Sequence, residues 1–115
     1  MKRDCHVRNG AAIAPLSRCL RRALGVTPAA TQVALRGDVL SVRLTHALTP
    51  MARLIGGKEA GAEIVEGAYE ALLADCRAQI SRLATQVAGL PVHQIRIAVD
   101  APGEAVVIEF VLGCD

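Results

Sequence analysis

The chain has 115 residues and a mass of 12.1 kDa, the length of one small domain. Hydrophobic residues make up 52% and charged residues 21%, which excludes a disordered polyelectrolyte. The only aromatic residues are Tyr69 and Phe110, which excludes an aromatic cage and a base-stacking nucleic-acid platform. The net charge of +2 hides an asymmetry: residues 1–25 carry six Lys and Arg against Asp4 alone, whereas the rest of the chain is net acidic. Such a pole is a candidate contact for an anionic partner.

Residues 1–9 show no period and read as a flexible basic arm, followed by a single α+β domain over 10–115. From Gly10 to Leu24, Ile13, Leu16, Leu20 and Leu24 recur at spacings of three and four, predicting an amphipathic helix with Arg18, Arg21 and Arg22 off its apolar stripe. Pro15 falls in its first turn and Gly25 ends it. Val33 and Leu35, then Leu40, Val42, Leu44 and Leu48, alternate with polar residues. They predict a hairpin through Gly37-Asp38, glycine first as a type II′ turn requires, with His46 on the apolar face of its second strand. Leu48-Thr49-Pro50 closes that strand and caps a short helix, Thr49 as N-cap and Pro50 as first helical residue, and Gly56-Gly57 forms a link.

From Lys58 to Ala88, Ile64, Ala68, Leu72, Cys76, Ile80, Leu83 and Val87 predict one long helix with a continuous apolar seam and an overhang able to pack on a second copy. Glu59, Glu63, Glu66 and Glu70 form an acidic stripe read as a solvated face, and Gly89 and Pro91 end the helix. A second hairpin follows: His93, Ile95, Ile97 and Val99 alternate, the turn spans 100–104, and 105–112 is apolar on both faces except for Glu109. A strand of that kind is central or covered by a partner. The order predicts an α+β two-layer sandwich, an antiparallel four-stranded sheet of two hairpins with one long helix and a short N-terminal helix on one face.

Chemistry-bearing residues are scattered. Cys5, His6 and Cys19 lack metal-ligand spacing, since adjacent Cys-His side chains point apart and neither CxxC nor HxxxH occurs. Nothing pairs a cysteine with His6, His46 or His93, and Cys76 reads as core packing. Gly56-Gly57-Lys58 lacks the upstream glycine of a phosphate loop and has Glu59 where Ser or Thr would hold magnesium. The expectation is no catalytic residue, no metal and no cofactor.

Three stretches, "GDVLSVRLTHALTPMAR", "GAEIVEGAYEALLADCRAQISRLATQVAGLPV" and "IRIAVDAPGEAVVIEFVL", resemble the bacterial MpsC family, named for a companion of a cation-translocating, membrane-potential-generating system. The likeness spans about residues 31–112, and the strand–LTP–helix junction is its most distinctive part. The resemblance implies a small soluble accessory protein tied to ion or inorganic-carbon translocation machinery, and it supplies no functional residues.

The leading expectation is therefore a non-enzymatic interaction module. A small domain with a mean hydropathy of +0.36 carries surplus apolar surface. A homodimer would use it, with Leu72, Cys76, Ile80 and Leu83 of the long helix and Val107 and Val111 of the last strand as the interface. One alternative is a binder of an anionic partner, nucleic acid or an acidic lipid or protein surface with nucleic acid the less favoured, through Arg18, Arg21 and Arg22. Another is a small-ligand or ion sensor with a pocket between helix and sheet. No secretory leader and no membrane span are expected, so the location expected is cytoplasmic, or peripheral to the inner membrane through a partner.

Overall fold

The computed structural model describes residues 10–113 apart from 28, 48–51, 53, 56, 57, 59 and 101–103. The basic arm with Cys5 and His6, the Leu48-Thr49-Pro50 junction, the Gly56-Gly57 link, the tip of the second hairpin and Cys114 lie outside the described residues.

A 3-10 turn at Gly10–Ala12 leads into α1 (Ile13–Leu24), then β1 (Ala30–Arg36), β2 (Val39–Thr45), α2 (Gly61–Ala74), α3 (Arg77–Ala88), β3 (Val92–Asp100) and β4 (Ala105–Leu112). The strands form one antiparallel sheet in the order β1-β2-β4-β3. The two hairpins meet through β2 and β4, so the strand that is apolar on both faces is central. This is the expected α+β architecture.

Local chemistry accounts for the punctuation. Gly25 takes φ 68° after α1, and the N–H groups of Gly25 and Val26 donate to the carbonyls of Arg22 and Arg21, a Schellman closure that only glycine adopts without strain. Arg36 pairs with Val39 across Gly37-Asp38, with Gly37 at φ 59°, giving the two-residue hairpin its glycine-first geometry. The core lies between sheet and helices: Leu16, Leu20, Leu40, Val42, Leu44, Ile80, Ala84, Val87, Val106, Ile108 and Phe110 are fully buried there.

Two expectations give way in the helix layer. The helix over 58–88 is not continuous: α2 ends at Ala74, and Cys76 takes φ −119°, ψ 19° before α3 begins. A tight turn, Cys76 N–H to the Leu73 carbonyl at 3.1 Å, makes the join. The bend lets α2 pack on β3 and α1 while α3 packs on α1. At ~1.5 Å per residue the two pieces are about 21 and 18 Å long, each no longer than the strands, so no single helix longer than the sheet is present among the described residues. The buried stripe of α2 is Val65, Tyr69 and Leu73, one position on from the expected seam, and Ile64 and Leu72 are 64% and 46% exposed.

The strand ends also differ. β2 stops at Thr45, so His46 is not on its apolar face: it is exposed, takes φ 55°, and its Nδ1 lies 2.9 Å from Glu104 Oε2. The register of β3 shifts between Val92 and Gln94, leaving His93 exposed. Ile95, Ile97 and Val99 turn toward the core as expected. Glu66 is half-buried, and its Oε2 accepts the Val99 N–H at 2.9 Å, tying α2 to β3, so the acidic stripe is not wholly a solvated face.

Candidate functional site

The residues picked out in the sequence divide among four places. Ile80 is fully buried under α3 and cannot reach a partner. Its side chain closes the core because it lies seven residues after Leu73, in phase with the α2 stripe despite the bend. Leu72 lies exposed on the outer side of α2. Val107 and Val111 are on the opposite side of the molecule, on the sheet face that no described helix covers, so the helix and strand residues do not form one continuous patch on a single copy.

Cys76 and Leu83 face a groove between α1 and α3, and Arg18 and Arg22 of α1 border it too. Pro15, Arg18, Cys19, Arg22, Cys76 and Leu83 are among the walls of this open groove of about 280 Å³. Its lining is largely apolar and holds both cysteines, with the guanidinium groups of Arg18 and Arg22 at its border. Helix period alone puts Arg18, Cys19 and Arg22 on adjoining faces of α1. The helix bend brings Cys76 opposite them. Both cysteines are free and half-buried. Burial pushes the Cys76 thiol above its ordinary value, and the neighbouring Cys19 and Asp75 add to that, against a smaller opposing effect of a backbone hydrogen bond. Cys76 Sγ donates to the Leu73 carbonyl at 3.6 Å. This shared lining by Cys19 and Cys76 was not legible, because the two stand 57 positions apart and their helices meet only through the tertiary fold.

Arg21 joins Arg18 and Arg22 around a second, shallower concavity of about 380 Å³ at the C-terminal end of α1, bounded by Gly25, Val26 and Thr27. All three arginines are exposed, and none pairs with a carboxylate among the described residues. Arg21 and Arg22 occupy the last turn, where the helix dipole favours cations.

The face of the sheet that no described helix covers is the third surface. Gln32, Ala34 and Arg36 of β1, Val39, Ser41 and Arg43 of β2, and Val107 and Glu109 of β4 bound an open trough of about 530 Å³. Val39 stands opposite Val111 in the β2–β4 register, and Val107 opposite Arg43 and Ala98. Arg43 Nη2 meets Asp100 Oδ2 at 2.8 Å, and Arg96 Nη2 lies 3.6 Å from Glu109 Oε1. Charges on this face are thus largely matched within it, around a valine centre.

A cleft of about 360 Å³ between α2 and β3, with Glu70 and Arg77 at its rim and Leu73, Ile95 and Ile97 below, is where a sensor pocket between helix and sheet would sit. Among the described residues, no three His, Cys, Asp or Glu side chains gather closely enough to share a metal ion. No helix among them is long and apolar enough to cross a membrane.

In comparison with known proteins, a family model described as "Na+-translocating membrane potential-generating system (MpsC)" matches residues 14–113. The match takes in α1 and so runs wider than the 31–112 span of the motifs. No curated protein and no solved structure matches the chain.

Proposed function

The chain belongs to the MpsC family, and we propose from that premise that it serves as a non-enzymatic accessory module of a membrane-potential-generating system, working by docking and self-association. The observation that carries this reading is the sheet face left uncovered by the described residues, where Val39, Val107 and Val111 stand among ion pairs already matched within the same chain. Such a face suits two-fold packing of one sheet on another, because every contact is made twice and most of its charges, Arg36 at the edge strand excepted, are already matched within each copy. The exposed flank of α2, with Ile64 and Leu72, then remains on the far side for the partner at the membrane.

Light scattering should give twice 12.1 kDa at micromolar concentration. Val111→Asp puts a carboxylate beside Val39 on the packed faces. It should weaken the dimer at least about 100-fold, since an unpaired buried charge costs several kcal/mol and ~1.4 kcal/mol is tenfold. Leu72→Asp should leave the mass unchanged. A wild-type chain that runs as a monomer at these concentrations removes the self-association half of this reading.

A second reading rests on the three exposed arginines grouped at the end of α1: contact with an anionic membrane surface beside the translocating machinery. Each cation near such a surface contributes about 1 kcal/mol, screened by salt. Co-sedimentation with vesicles containing anionic lipid should fall with salt and be lost in the triple variant Arg18→Glu, Arg21→Glu, Arg22→Glu. Equal binding to neutral vesicles rejects it.

A further inference from the structure

We propose that Cys19 and Cys76 form a redox-active dithiol site: the pair takes up an anionic low-molecular-weight disulfide in the α1–α3 groove and closes to an intramolecular disulfide. Cys19 from α1 and Cys76 from the joint between α2 and α3 both line the same open groove. Both are half-buried and free, so a small reagent can approach without the core opening. Arg18 and Arg22 border the same space and supply the charge that would hold the carboxylates of a peptide-like disulfide. Cys76 is also the non-helical residue at the bend between α2 and α3, and the weak contact of its thiol with the Leu73 carbonyl is what the rotation toward Cys19 would give up.

The step balances as thiol–disulfide exchange. One cysteine thiolate attacks a sulfur of the small disulfide and expels one half as thiolate. The second cysteine thiolate then attacks the protein sulfur of the mixed disulfide and expels the other half. The protein loses two protons and two electrons, and the reagent gains both as two free thiols. The product ties α1 to the joint of the helix layer and closes a loop that contains the whole first hairpin. Cross-linking so long a loop restricts the unfolded chain.

The test equilibrates the folded, fully reduced chain with glutathione and glutathione disulfide, then alkylates free thiols under denaturing conditions and maps tryptic peptides. Cleavage leaves Cys19 in the peptide 19–21 and Cys76 in the peptide 59–77. The expected product is these two joined, with a rise in Tm of roughly 5–15 °C that dithiothreitol reverses. Cys19→Ser and Cys76→Ser should each abolish both changes, and Cys5→Ser with Cys114→Ser should leave both intact. Finding Cys19 and Cys76 alkylated throughout the oxidising range overturns the proposal. So does a stable glutathione adduct on either that the other does not resolve, or a link that forms only when the chain is first unfolded.

Discussion

The two faces of the sheet are built from alternate residues of the same strands, yet they do different work. On the inner face Leu40, Val42, Leu44, Val106, Ile108 and Phe110 are fully buried beneath α1, α2 and α3. On the outer face the intervening Val39, Ser41, Arg43, Val107, Glu109 and Val111 stay half-open, with arginines and carboxylates paired across the strands. A period of two thus separates what folds the chain from what the chain can offer a partner. Ion pairs as exposed as Arg43–Asp100 add little stability, on the order of 0–1 kcal/mol, so the outer face is nearly neutral to folding and free to serve association.

The sharpest way to break this contrast is to cut the inner face first. Phe110 is the largest fully buried side chain. Phe110→Ala removes a ring from a packed layer and should cost about 3–5 kcal/mol, a large part of the 5–15 kcal/mol typical of a domain. Urea melts should show a much lower midpoint. One residue along, Val111→Asp should leave the monomer folded, with its loss confined to self-association. If the two variants melt alike, the outer face is a second core and the division fails.

The same division explains what could be read in advance. Alternation in Val39–Thr45 and the two-sided apolar run of β4 follow from strand geometry, and Gly25, Gly37 and Gly89 all carry the positive φ that their positions imply. In α2 the pattern is degenerate: Ile64 and Val65, Ala68 and Tyr69, Leu72 and Leu73 are adjacent apolar pairs, so helical period fits either row. Tertiary packing on β3 selects the second row. The bend at Cys76 has no Gly or Pro to announce it, and the strand order depends on β2 meeting β4, a contact between residues more than sixty apart. The candidate groove inherits both problems. Arg18 and Arg22 were visible as a basic helix face and Cys76 and Leu83 as a seam, but the bend that brings Cys76 and Leu83 against α1 was not.

A smaller test sharpens the contrast from within the dry layer. Tyr69 is buried on the α2 stripe, and its hydroxyl has no hydrogen-bond partner among the described residues. Polar atoms on the outer face find water or a charge, whereas this one is desolvated without return. Tyr69→Phe keeps the ring and removes the oxygen, so it should be neutral or stabilising by up to about 1 kcal/mol near neutral pH. Burial also holds the phenol above its ordinary value of 10.0. A group raised in this way contributes stability that is fully present below its unfolded value and lost as pH rises through the folded one. The wild-type chain should therefore lose stability above about pH 10, beyond a decline that Cys76 begins near pH 9 for the same reason. Urea melts from pH 7 to 11 should show the phenylalanine variant keeping only the earlier, thiol-driven part. A variant that is less stable at pH 7 would mean that the hydroxyl has a partner after all, and that the layer beneath the helices is less dry than its burial indicates.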